Sequence, residues 1–527
     1  MIKRLFDRLT LSESEKKEIR IFYEKYHCDV VRDISRDEYG EFARTGKRIG
    51  YEKLFFDRRR RICGTLMMYK AYGDAYLDEL RELLRAVCEE YSWALPAHTI
   101  SSEDPTREID LFAAETAMML TEIAYLLSDA LPEEDLSLIE NEVTDRVISV
   151  FETRRFHWET AEHNWSAVCG GCIGMVYLYR NRPVPECIMK AMAAYLRGIG
   201  EDGACLEGVQ YWSYGFGFYL FFAELLKERT GVDITASDKV RRLARFGISM
   251  YMAGGAVNYA DCSSDAMPLA GLSGLICSIY PGEIFAPVCK HERVDDCGRL
   301  PYYIRSFLYM PVYDTAPMRE TIYNKSQIYV YHGENFTFSV KGGCNNEPHN
   351  HNDVGSFIVA DRTGQLLCEL GSGEYVDGYF DDKTRYGFLC CSSLGHNVPV
   401  INGGEQRTGA EFACDLFECG NRRARLSIGG AYGAGIKLIR EINICDNEII
   451  LRDSFENAES ITERFISRIE PKIKNNSTFV GGMTVDRAFN VIKTEYTGHD
   501  GDMIPIYILE CSTAERVFEL KISLKSG

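Results

Sequence analysis

The hydrophobic pattern of this 527-residue chain changes character near residue 320. Before about residue 310, apolar residues return at helical spacing. Leu136, Ile139, Val143, Val147 and Val150 form one stripe, with Pro132 and the acidic run Glu133, Glu134, Asp135 placed as a first turn. Residues 109–127 (IDLFAAETAMMLTEIAYLL) are apolar nearly all round, which predicts a helix buried on every side, as in the inner ring of a toroid. Pro183 and Pro185 punctuate before a helix over 186–199, and GVDIT at 231–235 interrupts before another over 237–252. Helical hairpins without a fixed sequence period predict an incomplete (α/α) toroid rather than a solenoid.

From about Lys325 the period shortens. Segments 328–333, 336–343, 356–361, 436–445, 447–455, 463–473, 505–512 and 517–523 alternate or run as short apolar stretches between Gly, Asn and Asp. That pattern predicts an antiparallel β-sandwich. The polar stretch 313–324, containing Pro317, marks the junction, so the expected division is a helical domain over 1–315 and a β domain over 316–527.

Composition adds little to the fold but restricts function. Hydrophobic residues at 46% and charged residues at 26% are ordinary for a globular protein. The opening MIKRLFDRLTLSESEKKEIR carries charge throughout and lacks the apolar core of an export signal, and no run of apolar residues is long enough to span a bilayer. Nineteen cysteines are scattered without a framework, which together with the missing signal predicts reduced thiols and a cytoplasmic location. Cys169-Gly-Gly-Cys172 has CxxC spacing but neither a βαβ context nor a second pair, which argues against a redox or zinc role. A net charge of −18 disfavours nucleic acid and anionic membranes. It also disfavours a long polyanionic glycan unless the cleft is locally basic, so a short acidic oligosaccharide fits better.

Candidate chemistry is densest between residues 342 and 406. On an extended backbone His349 and His351 point to one face, so one could ligate a metal while the other faces a substrate. Glu369 follows the apolar run 365–368, and His396 opens a third such run. Adjacent strands would gather the three around one ion, and two histidines with a carboxylate suit Zn²⁺ or a similar divalent metal. A purely structural HxH is the plainer reading of the same spacing. In the helical half, His163-Asn164-Trp165 enters a buried helix, where Asn could serve as an N-cap. The stretch 207–219 (EGVQYWSYGFGFY) reads as core filling or as flat faces for sugar rings. Of the run Arg58 to Arg61, at most two can enter a cavity, because consecutive helical residues face different ways. His98 reads either as a buried, hydrogen-bonded histidine or as a substrate contact.

HNHNDVGSF, the acidic residue after LLC, and RYGFLCCSSLGHNVPVINGGEQ resemble the signature of the heparinase II/III-like polysaccharide lyases. Looser matches at ARTGKR (43–48), Arg58–Arg61, WALPAH (93–98), Asn164-Trp165 and EGVQYWSYG (207–215) extend the resemblance over nearly the whole chain. The resemblance implies a toroid followed by a β-sandwich, and cleavage of uronate-containing glycans by β-elimination. It makes His349 catalytic or substrate-contacting, and His351, Glu369 and His396 the ligands of a structural divalent metal such as Zn²⁺, with Glu369 standing where Asp is the commoner residue. Asn164, or His163 beside it, would neutralise the substrate carboxylate. Tyr211 or Tyr214 would protonate the leaving oxygen, Tyr211 being the first choice. An unperturbed imidazole titrates near neutrality and suits a base, whereas a phenol with a pKa of about 10 is already an acid. Glu207, Trp212, Tyr375, Tyr386, His98 and Arg58 are the candidate substrate contacts. The alternatives are a glycosidase using two of Glu115, Glu207 and Asp261, or an oligosaccharide-binding protein without catalysis. The expected partner is an acidic oligosaccharide, with no nucleic acid and no membrane, and a homodimer is left open.

Overall fold

The computed structural model describes residues 1–252, 254–282, 291–310 and 319–525. Its regular elements are helical as far as Leu308, apart from a two-stranded ribbon, Tyr251–Met252 with Gly255–Ala256. From Glu320 onward the described chain forms antiparallel sheets. The expected junction at residues 315 and 316 lies outside the described residues.

Five helices frame the helical side of the candidate site: α1 (Ile49–Tyr72), α2 (Leu111–Leu126), α3 (Asn164–Tyr179), α4 (Val209–Thr230) and α5 (Leu300–Leu308). In α2 only Ala124 and Tyr125 escape full burial, as its all-round apolar sequence requires. Asp110 caps it by accepting the Ala113 N–H. Helix α3 packs against both α2 and α4. A Cβ at Gly171 would lie 2.9 Å from the carbonyl oxygen of Phe218, so the α3–α4 approach needs glycine there. The same tight packing sets Asn164, at the start of α3, beside Gly215 of α4. Cys169 and Cys172 are buried in α3, and burial pushes both thiols well above their ordinary value. No helix among the described residues is long and apolar enough to cross a membrane.

The β region contains sheets of five, eight and four strands, with a further two-stranded pair. The strands of the eight-stranded sheet alternate buried and open positions, as in Lys437–Ile444 and Val517–Leu524, because one face meets the core and the other does not. The five-stranded sheet differs. Ile328–His332 is buried at every position, since Ile328 and Val330 join the helical core while Tyr329 and Tyr331 join the core of the β region. This sheet therefore belongs to both cores and ties the two parts together. The expected strand over 463–473 ends at Ser467, and Lys472–Lys474 pairs in a different sheet, beyond Pro471, which has no N–H to continue a ladder.

The His349–His351 segment is also not a strand. It lies in the loop between Cys344–Asn345 and Phe357–Asp361, and His349 takes φ +56°. The two histidines converge through a turn and not through strand alternation.

Candidate active site

Two parts of the chain meet at His349. From the helical part, Gly208 (φ +93°) makes the turn into α4, where a Cβ would sit 2.8 Å from the Tyr259 carbonyl oxygen. That turn presents Glu207 on one side and Tyr211 in the first turn of the helix. The Tyr211 ring stacks on His349, with centroids 4.1 Å apart and planes inclined by 22°. Glu207 Oε2 stands 3.7 Å from His349 Nε2, and Glu207 Oε1 accepts the backbone N–H of Asn164 at 3.3 Å. Asn164 is the first helical residue, so the N-cap position falls to His163, whose side chain makes no capping bond. The Asn164 side-chain oxygen is buried without a partner. His163 is held below the ordinary imidazole value by burial, with His349 close enough to add to the effect.

The opposite side is built around Asp261, which the sequence singles out only as a glycosidase candidate. This fully buried carboxylate stands 3.0 Å from His349 Nδ1 and 3.0 Å from His351 Nε2, and accepts from Tyr379 O–H at 2.6 Å and Arg385 Nη2 at 2.9 Å. Burial alone would raise its pKa, but the hydrogen bonds from His349 and His351 and the Arg385 charge hold it well below the carboxylate range. Both neighbours of this contact sit in the left-handed region: His349, and Ala260 at φ +60°. Such conformations in non-glycine residues persist where the surroundings fix them.

Tyr211 O–H pairs with Tyr375 O–H at 2.7 Å, and Arg48 lies 5.9 Å from the Tyr375 ring. Burial, and then the Asp261 charge, raise the Tyr211 phenol far above its usual value. Burial likewise raises Glu207, whose Oε2 accepts no hydrogen bond, toward the neutral acid.

Several expected contacts lie elsewhere. Tyr214, three residues beyond Tyr211, turns into the helical part: its hydroxyl donates to Glu115, and Arg299 sits 3.8 Å over its ring. Trp212 is buried core, donating Nε1–H to the Leu243 carbonyl and lying against Gly247, so it offers no face to a sugar. Arg58 is likewise removed from the substrate role, being buried with its guanidinium on Glu90 and the Arg32 and Ala86 carbonyls. His98 stands 2.7 Å from Asp110 and 5.1 Å from the Trp165 ring, one step behind the site through its contact with Arg48. Tyr386 is half-buried and accepts from Asn350 Nδ2 at 3.3 Å.

Two groups of side chains are close enough to hold a divalent cation: Asp261, His351 and Cys391, and Asp353, Glu369 and His396. The three expected ligands are thus divided. Glu369 pairs with His396 Nδ1, whereas His351 belongs to the Asp261 group, its ring 5.3 Å from that of His396. One buried atom on a member of each group lacks a hydrogen-bond partner, His351 Nδ1 in the first and Asp353 Oδ2 in the second. An imidazole with one nitrogen on a carboxylate and the other unpartnered has the arrangement of a metal ligand with its orienting acid. On this ground the donor set fits a divalent metal.

Missed from the sequence were Asp261 as the anchor of both histidines, Arg385 and Tyr379 on that anchor, and Asp353. Asp353 and Arg385 lie inside the motifs that carry the resemblance, whereas nothing in the sequence ties Asp261 or Tyr379 to the histidines.

The fold, a helical first part followed by antiparallel sheets, is shared with several solved polysaccharide-lyase structures. Solved structures with this fold include heparinase III (TM-score 0.64, 12% identity, 99% of this chain and 94% of that one). The heparan sulfate lyase HepC from Pedobacter heparinus is similar over 100% of this chain and 93% of its own (TM-score 0.58, 12% identity). The Streptomyces coelicolor A3 chondroitin AC lyase in complex with chondroitin sulphate also matches (TM-score 0.57, 10% identity, 100% and 82%). At these identities the likeness establishes a shared fold. No family model matches the chain, and no curated protein matches it.

Proposed function

We propose that this chain is a lyase that cleaves uronate-containing oligosaccharides by β-elimination. The observation that carries the reading is the position of His349: stacked on Tyr211, held at Nδ1 by Asp261, and facing Glu207 with Nε2. With Nδ1–H donated to Asp261, the lone pair is left on Nε2, the nitrogen turned toward Glu207, which in turn accepts the Asn164 backbone N–H. That nitrogen takes the C5 proton of the uronate. Burial shifts Glu207 toward its protonated form, in which Oε2 can donate to the substrate carboxylate beside the Asn164 amide and help to stabilise the enolate-like charge as it develops. Tyr211, whose raised pKa keeps it protonated, delivers a proton to the departing O4.

The reading extends to architecture. The buried α2 and α3 support a helical (α/α) toroid over about 1–315, and the alternating strands support a β-sandwich over 316–527. Zn²⁺ is the metal proposed for His351, Glu369 and His396 with Asp353. When bound, such an ion would supply a structural cross-link between the loops that carry these residues.

A glycosidase would need two available carboxylates. Asp261 already meets four donors, and Glu115 is taken by Tyr214 and Arg299, which leaves Glu207 alone and favours elimination. The direct test is ultraviolet absorbance from the unsaturated uronate product across a panel of uronic-acid oligosaccharides. Turnover with net addition of water and no such absorbance would replace elimination by hydrolysis.

A further inference from the structure

Phe380 is 51% exposed, yet its ring is held from several sides. It meets Tyr375 at 4.8 Å, Tyr379 at 5.1 Å and His349 at 5.7 Å between centroids, all at steep angles, and Arg385 lies 5.6 Å from it. A single exposed apolar residue needs no explanation in general. This one is the only exposed phenylalanine or tryptophan among the described residues, and it touches the imidazole at the centre of the candidate site. An aromatic ring fixed by its neighbours and left half exposed offers a rigid apolar face at little entropic cost.

The charge around it is equally particular. The segment 374–386 (EYVDGYFDDKTRY) carries the acids Glu374, Asp377, Asp381 and Asp382 against the bases Lys383 and Arg385. Asp377, Asp381 and Asp382 are exposed. Arg385 is already paired with Asp261, and Arg48, the other guanidinium near the phenols, with Glu52 at 2.6 Å. Lys383, also exposed, is the one open cation of the turn against three exposed acids, so a sulfate ester at this rim would meet a net negative turn, with the Arg48 and Arg385 guanidiniums already paired.

We infer that Phe380 is a stacking platform for a sugar ring of the substrate, and that the acidic turn beside it selects a glycan without sulfate esters. The selection rests on the lyase reading for the identity of the site, whereas the platform itself requires only that a sugar binds there. The experiment compares wild type, Phe380→Ala, Phe380→Trp and Asp381→Asn/Asp382→Asn on matched uronate oligosaccharides with and without sulfate. It reads turnover by product absorbance, and binding by calorimetric titration into proteins that also carry His349→Ala. Unsulfated substrate is expected to be preferred by about 10-fold or more in kcat/KM. Phe380→Ala should raise KM about 10-fold with kcat little changed, Phe380→Trp should restore it, and the double asparagine variant should narrow the preference. A KM unmoved by Phe380→Ala, or a preference for the sulfated glycan, overturns the inference. Binding that depends on Phe380 but never yields product would leave the platform standing and remove the lyase reading. No binding and no turnover with any uronate would remove both.

Discussion

Tyr211 and Tyr214 sit one turn apart on the same helix, both half-buried and both with phenols raised far above their ordinary value. Their surroundings differ completely. Tyr214 is locked inside the helical part, its proton given to Glu115 and its face covered by Arg299, which Asp295 also holds. Tyr211 points out of the helical part to a ring borne by the β region, and its hydroxyl meets only another phenol. The first is a closed network in which each polar group has a partner. The second is left incomplete at Glu207 Oε2 and the Asn164 side-chain oxygen, both buried and unpartnered. Buried polar atoms without partners are rare and costly, and these two belong to residues joined by the bond from the Asn164 backbone N–H to Glu207, which faces His349.

The sharpest way to break this contrast is to remove each side in turn. His349→Ala should lower kcat by about 10²- to 10⁴-fold and, by taking a donor from buried Asp261, lower stability by about 1–3 kcal/mol; equal activity would end the assignment. Tyr211→Phe should cost turnover on the same scale. Tyr214→Phe should instead spare kcat and lower stability by about 1–3 kcal/mol, because it deprives Glu115 of a donor. A reversal of the two phenotypes would move the acid to Tyr214.

Arg440 tests the frame behind the site. It is fully buried, paired with Asp453 at 2.6 Å, and donates to the carbonyls of Gly355 and Asn397, next to the loops that carry His351 and His396. Arg440→Ala should destabilise by about 3–5 kcal/mol in chemical denaturation, since Asp453 would be left as an uncompensated buried charge. Metal is the next probe. If the ion is held as proposed, exhaustive chelation should lower the thermal midpoint and Zn²⁺ should restore it. A ligand present at 100 times its Kd contributes about 2.7 kcal/mol, and elemental analysis should find about one metal per chain.

The smallest effect expected is on pH dependence. Burial raises Glu207 in the folded state, so the folded protein binds its proton more tightly than the unfolded chain does. The corresponding stability is fully present below the unfolded carboxylate value of about 4.3 and is lost as pH rises through the folded value. Glu207→Gln should flatten that part of the stability–pH curve, read from denaturant midpoints, and an unchanged slope would mean that Glu207 is ionised in the free protein.

Much of this was legible in the chain itself. Periodicity alone separated helices from strands, because a buried helix such as α2 must be apolar all round and a half-buried strand must alternate. The spacing of His349, His351, Glu369 and His396 marked a region rich in ligand-type side chains. What the sequence could not convey was the partner of each group. Asp261 lies 88 residues from His349 and 124 from Arg385 and carries no motif, yet it fixes both histidines. Tyr211 and Tyr214 are equivalent as letters, and Arg58 is one of four identical neighbours. Only the packing of α4 against the β loops separated the first pair, and only the placement of Glu90 in the core claimed the arginine. Local pattern determines which elements form, since it acts through neighbours in the chain. The roles of buried polar groups depend on contacts between residues far apart in sequence, and those exist only once the two parts have closed on each other.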